Sequence, residues 1–574
     1  MKLINRVIIP YILLIFSSSL IYGQINSPSL EIVKSIADRV IKDCRFEFEL
    51  VKQNPVLGLQ IINFKEASGP QGLVYALSSV KSDSDSVIKV GISSSPDVTI
   101  YVNDKKLIFR SSTNPVIKEI AYGMINFDDT IKVKLNSGSN KILIRSKNIN
   151  AKVFIRQITD DPESEGWIKF SEPPISGISG TSGWLHIGPF SNQPEDLPEN
   201  SIKNFYKNGN EYLTWYLPGQ NLIPELKINP DNVFKKDSYA DWNYANGETI
   251  LSILELGKFS GEEKYQKFVK RWCDFIINNI PYFRYQYDSL HALRGSYHRI
   301  FRKSMLDDAG APTFPFLQIY INKKEKKYYD LISEMADYVM NKQTRLENGT
   351  LCRPEPEKWT VWADDLFMSV PLMLRMGKIT GEKEYFDEAV KQIMNFNLLL
   401  FNKDKGIYKH GWFSWTNKTS PVFWGRANGW IMWAVSEALA ILPKDYEGYS
   451  DILKIYKNHV GGLLKYQDRD GMWHQVLDHP DSYEETSCTA MFVLGIARGV
   501  NNGWLNKSYS EFAIKGWKAL TKKIEPGGIV NGICRGTGMG ENLKFYFNRP
   551  TIDNDPRGLG AVITAGIEIS KLEN

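Results

Sequence analysis

The chain has 574 residues, too many for one ordinary core and enough for roughly two to four domains. Charged residues at 24% and hydrophobic residues at 43% exclude the disordered and fibrous classes. A net charge of +5 without a dense Lys/Arg run gives no footing for nucleic acid as a partner, while it permits an anionic substrate.

The first residues read "MKLINRVIIPYILLIFSSSLIYGQ". Lys2 and Arg6 precede an apolar run from Val7 to Phe16, and small residues follow up to Gly23. This is the pattern of a secretory signal peptide over 1–23. It predicts export to a periplasmic or extracellular space, with no membrane anchor after cleavage. The run is short for a membrane span. Five scattered cysteines, without C-x-x-C spacing, and seven histidines without H-E-x-x-H suggest neither a metal site nor a cofactor. Buried free thiols are expected.

Residues 24–45 contain an amphipathic helix candidate, "SLEIVKSIADRVIKDC". From 46 to about 230 the texture is β. "SVIKVGIS", "DVTIYVND", "TIKVKLN" and "NKILIRSK" alternate apolar and polar residues, separated by turn signals such as "NSGSN". Short strands at this spacing predict a β-sandwich.

From 231 to 574 the texture is helical and repetitive. Five amphipathic segments reach a tyrosine near their start, at Tyr265, Tyr328, Tyr385, Tyr449 and Tyr509, with separations of 63, 57, 64 and 60 residues. A more apolar helix candidate precedes each, and a sixth, "LGAVITAGIEISK", ends the chain. Helices apolar nearly all round are buried, and one-faced helices coat them. The count is six inner helices and five outer ones. The helix at 24–45 is the candidate for the missing outer member. The fold class read from this pattern is an all-α (α/α)6 barrel with an N-terminal β-sandwich accessory domain.

Polar and aromatic clusters precede the inner helices: "DWNYANGE", "RKSMLDDAGA", "WTVWADD", "HGWFSW" with "FWGRANGW", "WHQVLDHPDSYEETS" and "CRGTGMGENLKFYFNRPTIDNDPRG". In a barrel of alternating hairpins they share one mouth, which makes that mouth the candidate cleft. Six helix N-termini there favour an anionic ligand. Neighbours on a helix diverge by about 100 degrees. Asp364 and Asp365 therefore do not serve one proton together, nor do Asp307 and Asp308. One member of each doublet is expected to face the cleft, unless both doublets are only N-caps. Trp242, Trp362, Trp412, Trp415, Trp424 and Trp430 are candidates for a sugar-stacking wall or for packing. Arg426 is a forked donor for a carboxylate or hydroxyl pair. His410 is a substrate contact, a proton relay or a structural residue, and Glu485 is a further carboxylate at the mouth or a cap.

The motifs "RKSMLDD", "WADDLFM", "FWGRANGW", "EETSCTAMFVLGIARG" and "FYFNRPTIDNDPRGLGA" together resemble glycoside hydrolase family 105, the unsaturated rhamnogalacturonyl hydrolases, which are similar to the family 88 unsaturated glucuronyl hydrolases. The resemblance covers roughly 235–574 and the N-terminal helix. It implies an (α/α)6 barrel acting on fragments left by polysaccharide lyases, which end in a 4,5-unsaturated uronic acid. It implies that an Asp protonates C4 of the vinyl ether and activates the water that adds at C5, for which a carboxyl with a raised pKa is suited. The positions carried over are Asp364 as acid/base, Asp307 as the second carboxylate, and His410, Trp424, Arg426 and Trp430 as substrate contacts, with Trp362 beside them. The β region departs from the simplest members, which are barrel alone.

The expected activity is therefore removal of an unsaturated uronate from an oligosaccharide, with rhamnose as the next sugar, from rhamnogalacturonan or ulvan. The rivals are a glucuronyl hydrolase on glycosaminoglycan-type fragments, a non-catalytic carbohydrate-binding protein, and a lyase on a similar scaffold.

Overall fold

The computed structural model describes residues 27–573, leaving aside 45, 53–58, 65–71, 116–117, 120–124, 149, 160–169, 172–184, 191–213, 217–221, 228–238, 290–296, 355–358 and 541. The expected signal peptide lies outside the described residues.

The first element is helix α1 (Pro28–Asp43). Ser27 Oγ accepts from Leu30 N–H, and Pro28 occupies the first turn, where its missing N–H costs nothing. The strands follow. One antiparallel sheet runs β1 (Gln60–Asn63), β7 (Lys152–Ile158), β3 (Ser86–Ser94), β5 (Asp129–Leu135) in spatial order. The other contains β8 (Leu185–Phe190), β2 (Leu73–Ser82), β6 (Gly138–Ser146), β4 (Val98–Val102) in that order. The period-two apolar residues of both meet in one core, including Val90, Ile92, Val133 and Val153 from the first and Val74, Ile100 and Ile144 from the second. A β-sandwich is the result.

The remaining helices alternate inner and outer. Inner helices are α2 (Tyr244–Ser260), α4 (Phe314–Lys323), α6 (Asp364–Thr380), α8 (Gly425–Ile441), α10 (Thr486–Asn501) and α12 (Pro556–Glu573). Outer helices are α3 (Glu263–Ser289), α5 (Lys326–Asp337), α7 (Lys383–Leu400), α9 (Tyr449–Leu463) and α11 (Ser510–Thr521). Each inner helix packs on the next, and α12 packs on both α10 and α2, closing the ring. Burial follows the expected split: every residue of α10 from Thr486 to Gly499 is buried, whereas α11 buries only one stripe.

The sixth outer helix is α1, as the sequence suggests. It lies on α12. Trp517 of α11 donates to its Ser29 at 2.8 Å, and Lys264 of α3 pairs with its Asp38 at 2.8 Å. The sandwich is thus inserted between the first and second helices of the barrel. It touches the barrel where Leu59 and Phe154 pack with Tyr287 of α3. Tyr287 in turn contacts Phe301, with ring centroids 5.5 Å apart, a few residues before the first Asp doublet.

The apolar inner helices carry charges near their C-termini, and these pair with each other. Arg375 reaches Glu437 at 2.6 Å, Glu437 meets Arg498 at 2.9 Å, and Arg498 meets Glu568 at 3.2 Å. This ladder links α6, α8, α10 and α12 at the end of the barrel away from the clusters. All five cysteines are buried and unpaired. Among the described residues no helix is long and apolar enough to cross a membrane.

Candidate active site

At the N-terminal ends of the inner helices, the two carboxylate doublets behave alike. Asp308 is fully buried. It accepts from Arg299 at 3.3 Å, Arg302 at 3.2 Å and the Ser304 N–H at 3.0 Å. Asp365 is also fully buried, gripped by Arg353 through Nε at 2.9 Å and Nη2 at 2.6 Å. Their neighbours Asp307 and Asp364 each keep 15% of the side chain accessible. One member of each doublet is therefore anchored and the other is presented. Helical divergence of adjacent side chains enforces this division. Asp364 and Asp365 also sit in the first turn of α6, in the favourable field of its N-terminus.

Arg353 connects the doublets. The Nη2 that holds Asp365 also donates to Asp307 Oδ1 at 3.0 Å. Its guanidinium lies 4.1 Å over the ring of Trp362, whose Nε1 donates to Thr360 Oγ1 at 2.9 Å. Close backbone packing fixes the same relationship. A Cβ on Gly310 would sit 1.4 Å from the carbonyl oxygen of Met368. Only glycine lets the turn after Asp307 touch the first turns of α6.

A small antiparallel sheet, β9 (Thr360–Trp362), β10 (Gly411–Phe413) and β11 (Lys418–Thr419), brings His410 to Asp364. The Ala363 N–H donates to the His410 carbonyl at 2.9 Å. The buried imidazole places Nε2 3.3 Å from Asp364 Oδ2 and Nδ1 2.7 Å from Tyr546 Oη. Rings of Trp362 and Trp424 enclose it, at centroid distances of 5.6 and 4.6 Å. Asp364 Oδ2, His410 Nε2 and Trp424 Nε1 are buried without a well-aligned hydrogen-bond partner among the described residues. The imidazole nitrogen and two polar atoms beside it thus keep hydrogen-bonding capacity for a small polar group.

The electrostatics separate the presented carboxyls. Burial raises Asp307, and the Arg353 charge only partly offsets it. Burial also pushes Asp365 up, to about 7, against the same arginine. Burial would raise Asp364 too, but His410, Arg353 and Arg426 outweigh it and hold the group below its ordinary value. The raised pKa expected of Asp364 thus falls on Asp307 instead. Asp364 has a hydrogen-bonding and cationic neighbourhood that outweighs its desolvation.

The other expected site residues are placed as follows. Arg426 is 1% exposed. Its fork is taken by the Cys534 carbonyl, the Arg535 carbonyl at 3.0 Å and Ser487 Oγ at 3.4 Å, so it ties down the segment before α12. Trp430 is buried among Phe367 and Trp433. Trp242 is fully buried, while Trp415 is 57% exposed at the tip of the β10–β11 hairpin. Glu485 caps α10 by accepting from the Ser487 and Cys488 N–H groups. The sequence reading missed Arg353 and Tyr546. Arg353 lies in an irregular stretch, "LCRPEPEKW", with no periodicity to mark it. Tyr546 lies inside a quoted motif, but only its folded contact with His410 distinguishes it.

Comparison with known proteins agrees with this architecture. The model of glycosyl hydrolase family 88 matches residues 226–573. An unsaturated rhamnogalacturonyl hydrolase of Bacillus subtilis (strain 168), YesR, is 25% identical over 352 residues, 59% of this chain and 94% of that protein. An unsaturated 3S-rhamnoglycuronyl hydrolase of Alteromonas sp. (strain LOR) is 31% identical over 214 residues, 36% of this chain and 50% of that protein. A solved structure of a possible GH105 family member from Salmonella enterica superposes with a TM-score of 0.52 at 22% identity, covering 67% of this chain and 98% of that one. It shares the fold.

Proposed function

We propose that this chain, a glycoside hydrolase that belongs to glycosyl hydrolase family 88, removes a 4,5-unsaturated uronic acid from the non-reducing end of lyase-generated oligosaccharides. The observation that carries the reading is the pair of presented carboxyls, Asp307 and Asp364, one from each doublet, with their neighbours immobilised by arginines.

Hydration of a vinyl ether needs one proton delivered to C4 and one taken from the water that adds at C5. A pair whose members are pushed apart in pKa holds one proton between them. Burial shifts Asp307 toward its protonated form, whereas His410, Arg353 and Arg426 shift Asp364 toward its ionised form. The pair gives its proton to C4 and regains one from the attacking water, so it returns to its starting state. The hemiketal formed at C5 opens and releases the next sugar. The hydrogen-bonding capacity left on Asp364 Oδ2, His410 Nε2 and Trp424 Nε1 suits a water at this point. The helix N-termini around the mouth favour the uronate carboxylate. In this reading Arg426 and Trp430 act by positioning the segments they pack against, and Trp362 steadies Arg353.

The names of the relatives support rhamnose as the following sugar, and rhamnogalacturonan and ulvan fragments are the two sources to test. The test is a panel of defined unsaturated disaccharides, followed through the ultraviolet absorbance of the conjugated double bond. Loss of absorbance with rhamnose-linked members supports the assignment. Loss only with glucosamine- or galactosamine-linked members would move the enzyme to glycosaminoglycan fragments.

A further inference from the structure

Tyr546 belongs to the segment that joins α11 to α12 and packs against His410. This segment is pinned at one end by the fork of Arg426 and lower down by Arg549, which donates to the Gly536 carbonyl. Asn542 caps the short helix Leu543–Phe547 by accepting from the Phe545 N–H. Tyr546 is fully buried on that helix. Among the described residues its Oη has two hydrogen-bonding neighbours: the Gly540 N–H, which donates to it at 3.0 Å, and His410 Nδ1 at 2.7 Å.

Counting protons fixes the direction of the second bond. A phenol has one proton to give, and a buried one without an acceptor is costly. The Gly540 N–H can only donate, so the acceptor for the phenolic proton is His410 Nδ1. The imidazole then carries its own proton on Nε2, which faces Asp364 Oδ2 at 3.3 Å. In the opposite tautomer, Nδ1–H would donate to Oη, the phenolic proton would lose its acceptor, and an Nε2 lone pair would face a carboxylate. One arrangement gives the phenolic proton its acceptor and turns a donor toward the carboxylate, and the other leaves both groups in conflict.

We propose that Tyr546 is a positioning residue that locks the proton of His410 on Nε2, so that the imidazole presents a donor to Asp364. The proposal rests on the assignment of Asp364 to the reaction. It adds that this segment, through one phenol, sets the proton affinity of that carboxylate. The charged and titratable groups facing Asp364 are His410, Arg353, Arg426, Asp307, Asp365, Tyr244 and Tyr546. Tyr546→Phe removes one hydroxyl and alters none of the others directly.

The experiment has two arms on the full chain. Nitrogen-15 NMR of histidine-labelled wild-type protein, with the His410 signals assigned by His410→Gln, reads the tautomer directly. The expected result is a protonated Nε2 and an unprotonated Nδ1. The second arm compares Tyr546→Phe with wild type in steady-state kinetics. Loss of one positioning hydrogen bond is expected to lower kcat about tenfold, with KM changed less than about twofold. The acid limb of the kcat/KM profile should move to higher pH, because Asp364 loses part of its donor. A protonated Nδ1 in the wild type overturns the proposal, as does an unchanged kcat and profile in the variant. If Tyr546→Phe fails to fold, the wild-type spectrum still decides. If the wild type bleaches no unsaturated substrate, the proposed function fails on its own, while the tautomer remains measurable.

Discussion

Arg353 Nη2 stands 2.6 Å from Asp365 Oδ1 and 3.0 Å from Asp307 Oδ1, so one nitrogen bridges a carboxylate from the turn before α4 and one from the first turn of α6. Arg353 is thereby both a clamp on a buried charge and a brake on the pKa of Asp307. Replacing it by alanine leaves the Asp365 carboxyl buried without its cation. The expected cost is about 3–5 kcal/mol, read as a lowered midpoint in urea unfolding. Arg353→Lys keeps the charge but loses the two-nitrogen grip, and should fall between alanine and wild type.

The activity profile follows from the order of the two presented groups. Asp364 is held below its ordinary value and Asp307 above it. The rate constant kcat/KM should fall as pH drops through the lowered value of Asp364, when the pair takes up a second proton. It should fall again as pH rises through the raised value of Asp307, when the pair loses its only one. Asp307→Asn should abolish the upper limb while lowering the rate by about a hundredfold or more. An upper limb unchanged in the variant would remove Asp307 from the proton account.

Stability should depend on pH in opposite senses at two buried glutamates. Burial would raise Glu437, but Arg375 and Arg498 bring it down to about 2. A depressed carboxylate adds stability above its unfolded-state value and loses it as pH falls toward the folded one. Glu437 is thus worth about 3 kcal/mol near neutral pH, lost between the ordinary carboxylate range and about pH 2. Glu248 behaves in reverse. Neither carboxyl oxygen has a hydrogen-bond partner among the described residues, and burial raises its pKa well above the ordinary value. Its contribution is full at low pH and disappears as pH rises through the raised value. Unfolding titrations across pH should show Glu437→Gln flattening the acid side and Glu248→Gln flattening the alkaline side.

Gly310 tests the steric link between the doublets. A methyl at this position would overlap the Met368 carbonyl, so Gly310→Ala must push the Asp307 turn away from α6. The expected destabilisation is about 1–3 kcal/mol, with a loss of activity larger than that stability change explains. Wild-type stability in the variant would show that the turn has slack.

Much of this molecule was legible before folding. The sixty-residue spacing of the outer tyrosines and the apolar segments between them gave the ring. The shortage of one outer helix pointed to α1, which does sit between α11 and α3. Period-two alternation gave the strands whose apolar residues meet in the sandwich core. Helical geometry alone split the doublets into an anchored and a presented Asp. The charge environment was not legible, because it depends on long-range partners. His410 is remote in sequence from Asp364, and Tyr546 more remote still, yet together with Arg353 and Arg426 these side chains decide the electrostatics around that carboxylate. Nor does composition tell a cleft tryptophan from a core one. Trp242, Trp424 and Trp430 come from the same motif-rich segments as Trp415, but tertiary packing buries the first three and exposes the last.

The central claim is that the presented carboxyls hydrate an unsaturated uronate, and one assay addresses it. Wild type and Asp364→Asn are incubated with lyase-digested rhamnogalacturonan and ulvan, and the absorbance of the conjugated double bond is followed. The account predicts a decline with wild type on at least one digest, and a rate at least about a hundredfold lower with the variant, which still binds the substrate. A variant as fast as wild type, or an absorbance that stays constant or rises with wild type, would contradict it.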